Sequence, residues 1–600
     1  MILPESENRI FYSNQLKNKI KYTIVQDKNI TQASVCVCIK AGSINNPKEY
    51  QGLAHFLEHM LFLGSKKYPQ ENYFDETLKC HGGSSNAYTA LFETVYYFTV
   101  NSNYLEKILD IFSRFFIDPL FDPDSVSREI NAIHSEHMKN YNNDIWRLNY
   151  FLTLLSDKNA IINKFGTGNL DTLDKPGIRE KMIEFYNNFY CSDNITVAII
   201  SPNDVNSVNN IFSNIFNQIP NKKAIENKIV KKENFFNNIG KEYQIVPIYD
   251  KTNLFYVWEI DFPHSYLKNK LFDIIDFAVE EKGPTNLEQT LFSKNLINGM
   301  SCYDLEEGLF VLKININKDE NIKKKIREIN GYVKYYFNNI KKLNWNKIYD
   351  YVEKKSQILF DNTKITDEID LIDNLVLNMH YYDPKHYYSG NKLIIEKAYE
   401  LLKSNINKMS FNNCFIVYSL QDILEEVKVQ TEPYYNSKYY NLKSSYVSDE
   451  IPFEFDINTD NNYIDIKPKI IKNLDKKIIP KIKSNRLWFG SISKTNESFI
   501  IGNLILYRKD LFNNIPNYIA TILAINYINY KLSKHFYKEG ELGYITYLST
   551  NSITSSINIL IGGFNDKYNN FFKDFIQYLN ILKNEIIKDD NINLKNIDKM

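Results

Sequence analysis

Apolar residues recur in two rhythms along the chain, and the first two hundred residues show both. Ile20–Val25 and Ala33–Ile39 are strand-like runs, and the second is nearly continuously apolar, as a strand buried on both faces would be. Leu53–Phe62 contains no Gly or Pro and reads as a helix, with Gly64 suited to a C-terminal cap. Tyr73–Lys79 predicts a short helix, Val95–Val100 an aromatic-rich strand and Asn103–Phe116 an amphipathic helix. Asp122 is a good helix cap, with Pro123 at the first helical position of the next segment. Thr196–Ile200 predicts the closing strand of this first unit.

The same order returns twice. Tyr243–Pro247 and Leu254–Ile260 read as strands, followed by a helix over Leu267–Glu281, the turn Gly283-Pro284, a helix through Leu291, the strand Leu309–Ile316 and a helix from Asn321 to Asn338. A third set begins near Leu487: strand Phe499–Tyr507, helix Ile515–Tyr537, strand Ser555–Gly562 and a helix from Asp566 to Ile587. Recurrence of one supersecondary unit indicates tandem repeats. The expected fold class is therefore α+β, with antiparallel-rich sheets packed with helices, two units complete and one partial. The expected domains are a first unit at 1–220, a related unit at 243–440, a charged, proline-bearing linker at 441–485 and a partial third unit at 486–600.

Composition narrows the partners. The chain has 600 residues, too many for one core. Lys+Arg and Asp+Glu are 72 each, so no net field draws the chain to nucleic acid or an acidic membrane. No apolar run reaches transmembrane length and no leader pattern opens the sequence, so a membrane span is not expected. The six cysteines form no C-x-x-C pair, which fits free thiols in a reducing compartment such as the cytoplasm.

Chemistry concentrates in His55-Phe56-Leu57-Glu58-His59, an H-x-x-E-H motif. At about 100° per residue, His55 and His59 lie roughly 40° apart on one helical face, with Glu58 beside them. Two neutral imidazoles so spaced can grip one Zn²⁺, and the carboxylate can take a proton from a water there. Such a site needs a third protein ligand. Glu129 and Glu136 sit seven apart, two turns along one helix. Glu136 is the preferred ligand and Glu129 a carboxylate behind it, although spacing alone also admits His134 or His137. Asn86–Thr89, after Gly82-Gly83, is either an edge strand open to a bound peptide or an ordinary glycine-rich hairpin. Gly166-Thr167-Gly168 is a tight loop, and without a preceding strand its G-x-G is no dinucleotide site. Only the first unit carries the histidines, so one metal site is expected.

Together, His55 to Gly64, Gly83-Ser84-Ser85-Asn86-Ala87, Ser135-Glu136-His137, Asn143 to Leu148 and Lys164 to Asn169 resemble the insulinase (inverzincin) family of zinc peptidases. The likeness is most specific over residues 33–170, and Ile245-Val246-Pro247 and Arg486-Leu487-Trp488-Phe489 carry it further. It implies that His55, His59 and Glu136 bind zinc, that Glu58 is the general base, and that Glu129 supports the site. It implies that Asn86 and Ala87 hold the peptide backbone and that Trp146 lines the cleft. Long members of the family have four repeats in two halves that close around unfolded peptides. The fourth repeat, with an Arg and a Tyr that reach the substrate, has no counterpart in this sequence. The resemblance therefore implies a zinc metalloendopeptidase acting on short or unfolded peptides. The alternative is a peptide-binding chain that a homo-oligomer or partner chain completes with the missing half.

Overall fold

The computed structural model describes residues 1–157, 160, 162–225, 238–260, 264–305, 308–317, 320–363, 367–467, 498–507 and 511–588. Three sheets organise them. The first has β1 (Ile10–Gln15), β2 (Lys21–Gln26), β3 (Gln32–Ile39), β4 (Ser84–Thr89), β5 (Thr94–Asn101) and β6 (Ile195–Ser201), in the order β1-β2-β6-β3-β5-β4. The second has β7 (Glu242–Ile245), β8 (Thr252–Glu259), β9 (Gly299–Leu305), β10 (Leu309–Ile316), β11 (Cys414–Ser419), β12 (Val429–Thr431) and β13 (Lys438–Asn441), in the order β12-β13-β7-β11-β8-β10-β9. The third has β14 (Phe499–Tyr507), β15 (Ile545–Asn551) and β16 (Ser556–Phe564), in the order β14-β16-β15.

The repetition legible in the sequence is repeated in the topology. The run β2-β6-β3-β5-β4 maps strand for strand onto β7-β11-β8-β10-β9, with one parallel pair in each, β2 with β6 and β7 with β11. The third sheet repeats the three strands on the β4 side, its strand–helix–strand–strand–helix order matching the other two. The fold is thus mixed α+β with mostly antiparallel pairing.

Five helices of the first unit position the site: α1 (Leu53–Leu61), α2 (Tyr73–Cys80), α3 (Leu105–Ser113), α4 (Pro123–Asn140) and α5 (Asp144–Leu154). The predicted helix over Leu53–Phe62 therefore ends one residue early. The apolar side of α1, including Phe56, Leu57, Met60 and Leu61, is buried with Val35, Val37, Phe98 and Phe112 in one core. Each such side chain contributes roughly 1.5–3 kcal/mol by leaving water. The opposite face of β3 is buried too, because the helix Glu368–Tyr381 packs across the sheet on Cys36, Cys38 and Ile200. That cover explains the unbroken apolar run of β3.

Some boundaries differ from expectation. The helix predicted over Leu267–Glu281 divides into a 3₁₀ segment His264–Asn269 and an α-helix Leu271–Glu280, because Lys270 between them is left-handed at φ +52°. Asn103–Phe116 likewise has a 3₁₀ turn at each end of α3. Within the stretch expected to link units, Tyr446 and Ile457 are buried in the second core and Tyr463 and Ile466 in the third. The remainder of that stretch beyond 467, and Arg486-Leu487-Trp488-Phe489, lie outside the described residues. No helix among the described residues is long and apolar enough to cross a membrane.

Candidate metal centre

Helix α1 starts at a close backbone contact. Gly52, at φ +88°, caps it, and a Cβ there would stand 2.3 Å from the Gly168 Cα. Only glycine tolerates both that conformation and that approach. The contact draws the 164–168 loop against the helix start, and the Thr167 carbonyl accepts a hydrogen bond from His55 Nδ1 at 2.8 Å. The role of the G-x-G loop is thus structural, because it fixes one imidazole.

Helix α4 supplies the facing carboxylates. Asp122 caps it by accepting from the Asp124 N–H at 3.1 Å, and Ile130 and Ile133 anchor it in the first core. Glu129 Oε2 lies 3.3 Å from His59 Nδ1. Glu136 Oε2 lies 3.5 Å from His55 Nε2 and 3.7 Å from His59 Nε2. Each imidazole is therefore held from behind at Nδ1 and turns its Nε2 towards Glu136. His134 and His137, which spacing had left open, do not join them; His137 Nε2 donates to the Tyr434 carbonyl at 3.0 Å.

These residues fit a zinc ion. Ligands about 2.0–2.1 Å from a tetrahedral ion stand about 3.4 Å apart, close to the two His–Glu separations. All three donor atoms lie within 4.8 Å of one another. The Nδ1 partners, a carbonyl and a carboxylate, favour the tautomer with a free Nε2 lone pair. Burial alone would lower the His59 pKa, but Glu129 and Glu136 outweigh it and raise it to about 9. Hydrogen bonding to His59 holds Glu136 below its usual value.

Glu58 faces the same space and is only 7% exposed. Burial raises its pKa, with His55 and the Thr89 hydroxyl pulling in the other direction. Thr89 Oγ1 donates to Glu58 Oε2 at 2.5 Å. Thr89 ends β4, which pairs with β5 on one side and forms the sheet's edge on the other. Asn86–Thr89 is thus part of both the edge strand of the sheet and one arm of a hairpin with β5. Asn86 and Ala87 line a cavity of about 970 Å³ shared with His55, Glu58, His59 and Trp146, and Leu305 and Leu309 close it from the second unit. Trp146, 37% exposed, stacks over Tyr150 at 6.2 Å.

The preferred ligands, the expected base Glu58, Glu129 and the expected substrate-binding residues therefore all border one cavity. What sequence reasoning missed are the supports: the Thr167 carbonyl, the Thr89 hydroxyl and the Tyr434 carbonyl. Backbone acceptors have no residue-type signal, and Thr89 could have been found only from its place on β4 opposite α1. The matching helix of the second unit, Leu271–Glu280, has no histidine. Its Asp276 and Glu280 lie with Cys302 in a second group of potential ligands. Burial raises the Asp276 carboxyl to about 7 and the Cys302 thiol well above its usual value, so burial works against the ionised form of each.

Comparison with known proteins supplies the family. Residues 22–158 match the insulinase (peptidase family M16) family model, 178–348 the peptidase M16 inactive domain, and 360–596 the middle or third domain of peptidase M16. Insulin-degrading enzyme of Homo sapiens is 27% identical over 602 residues, 95% of this chain and 58% of that protein. The insulin-degrading enzyme homolog of Dictyostelium discoideum is 40% identical over 219 residues, 36% of this chain and 23% of that one. The crystal structure of pitrilysin superposes with a TM-score of 0.80 at 22% identity, covering 96% of this chain and 63% of that one, a likeness of fold. The chain thus spans less than two thirds of the length of these relatives. With consecutive matches reaching from residue 22 to 596 and the H-x-x-E-H helix at the cavity, the chain belongs to the insulinase family, peptidase family M16.

Proposed function

We propose that this chain is a zinc metalloendopeptidase that hydrolyses short or unfolded peptides. The observation that carries the reading is the convergence of His55 Nε2, His59 Nε2 and Glu136 Oε2 within 4.8 Å, beside the buried Glu58. His55, His59 and Glu136 would hold the zinc, which when bound supplies a Lewis acid that makes water more acidic and polarises a carbonyl. Glu58 acts as general base. The Thr89 hydroxyl holds its Oε2, which leaves Oε1 to take the water's proton and deliver it to the leaving amine. Burial favours the protonated carboxyl, which makes the Glu58 carboxylate a stronger base. Glu129 orients His59, and the Thr167 carbonyl orients His55. The free edge of β4 at Asn86 and Ala87 adds the peptide as a further strand, and Trp146 covers one wall of the cleft. In this reading the catalytic unit is 1–220, 243–440 is an inactive repeat, 441–485 connects, and 486–600 belongs to a third repeat. The free cysteines suit the cytoplasm or another reducing compartment.

A second reading, a peptide-binding chain completed by a partner chain or a second copy, is favoured by the exposed Leu504, Ile505, Leu506 and Tyr507 of β14. One experiment separates the two. A quenched fluorescent peptide is incubated with zinc-loaded wild type and with Glu58→Gln. Cleavage by wild type and none by Glu58→Gln supports the peptidase. Zinc retained by a wild type that cleaves only after a second polypeptide is added supports the partner reading.

A further inference from the structure

Beyond Ile133, the only buried residue of α4 is His137. Glu136 itself is 45% exposed at its side chain, and Ile133, one turn before it, is the last residue of α4 buried in the first core. His137 packs edge-on against Phe165 of the first unit at 5.4 Å, and two further partners, Tyr434 and Tyr435, come from the second sheet. We propose that the β12–β13 hairpin, through Tyr434 and Tyr435 at its tip, is a positioning element for the metal centre of the first unit. The proposal rests on the zinc reading above and adds a dependence that the ligands alone do not imply.

The tip has a defined shape. Glu432 is fully buried, and its two carboxylate oxygens accept from the Tyr434 and Tyr435 backbone N–H groups at 2.8 and 2.7 Å. The Glu432 N–H donates to the Ser437 carbonyl at 2.9 Å, and Asn436 takes a left-handed conformation, φ +53°. So shaped, the tip touches both supports of the site. On one side the Tyr434 carbonyl accepts from His137 Nε2 at 3.0 Å, and the Tyr435 ring packs on the His137 ring at 4.7 Å. That fixes the helical turn bearing Glu136. On the other side the Tyr434 ring stacks on Phe165 at 4.0 Å and 13°. Phe165 stands two residues before Thr167, whose carbonyl holds His55. Arg147 Nη1 donates to the Tyr435 carbonyl at 3.0 Å and ties the tip to α5. One rigid turn from the second unit therefore sets the distance between the carboxylate ligand and an imidazole ligand. Outer partners of metal ligands are worth about 10–100-fold in affinity.

The test is the zinc dissociation constant of the full chain, measured by chelator competition, with circular dichroism showing that each variant is folded. Tyr434→Leu removes the stack and Glu432→Gln disturbs the tip from outside the site; each is expected to weaken zinc binding about tenfold or more. Tyr434→Phe keeps the stack and is expected to bind as wild type does. Tyr439→Leu serves as the control, because Tyr439 packs on Phe151 at 4.8 Å across the same interface but touches neither support. It is expected to leave zinc affinity unchanged. If Tyr434→Leu does not fold, Glu432→Gln decides alone. Unchanged affinity in the folded tip variants, or equal weakening in Tyr439→Leu, overturns the inference while leaving the peptidase reading intact. A wild type that takes up no stoichiometric zinc overturns the peptidase reading itself.

Discussion

His59 makes metal binding compete with a proton. In the metal-free chain Glu129 and Glu136 hold its pKa at about 9 against the opposing effect of burial. A zinc ligand must be unprotonated, so binding at neutral pH has to expel that proton. Two pH units separate pH 7 from the pKa, each worth about 1.4 kcal/mol, so zinc affinity should rise roughly fiftyfold from pH 7 to pH 9, where half of His59 is unprotonated. The perturbation that isolates the cause is Glu129→Gln, which removes the carboxylate 3.3 Å from His59 Nδ1. The His59 pKa then falls, and the rise in affinity with pH flattens. Above pH 9, where the proton matters little, Glu129→Gln still binds about 10–100-fold more weakly, because His59 has lost its orienting partner. Isothermal titration with zinc in buffers of different ionisation enthalpy reads both quantities at once. The expectation is close to one proton released from His59 per zinc at pH 7 in wild type and less in Glu129→Gln. Identical proton release in the two proteins would mean that Glu129 does not raise the His59 pKa. Stability without metal has the matching sign. A pKa raised by folding stabilises fully below the unfolded value of 6.5, and that gain disappears as pH rises through 9. The metal-free chain should therefore melt at a lower temperature at pH 9 than at pH 6.5.

Further outcomes follow from single contacts. Thr89→Val removes the hydroxyl from Glu58 Oε2, and kcat for a fluorogenic peptide should fall about tenfold or more with zinc content unchanged, while Thr89→Ser restores most of it. Gly52→Ala forces a left-handed alanine and a clash with Gly168, so its melting curve should show a loss of about 2 kcal/mol or more. Phe56→Ala empties a fully buried position on the far side of the motif helix; denaturant titration should show a loss of about 3–5 kcal/mol.

What the sequence made legible is what local chemistry encodes. The H-x-x-E-H spacing requires a helix with one polar edge, and α1 has it, since Phe56, Leu57, Met60 and Leu61 bury the remainder. The cap at Asp122 and the two-turn spacing of Glu129 and Glu136 place both carboxylates on one face of α4. The threefold order of strands and helices follows from period alone, and the sheet orders repeat it. What stayed hidden depends on contacts far apart in sequence. Whether His134, Glu136 or His137 faces the imidazoles is settled by how α4 packs on α1, and His137 is drawn away by a hairpin about 300 residues later, its hydrogen bond to Tyr434 spanning 297 positions. The helix break at Lys270 was equally invisible, because a left-handed lysine is dictated by its surroundings and not by its type.

Metal analysis of purified protein decides whether His55, His59 and Glu136 form one zinc site. One zinc per wild-type chain is expected, retained in Glu58→Gln and lost in the folded variants His55→Ala, His59→Ala and Glu136→Ala. Zinc content that is negligible in wild type, or unchanged when any of those three side chains is removed, would contradict a shared site.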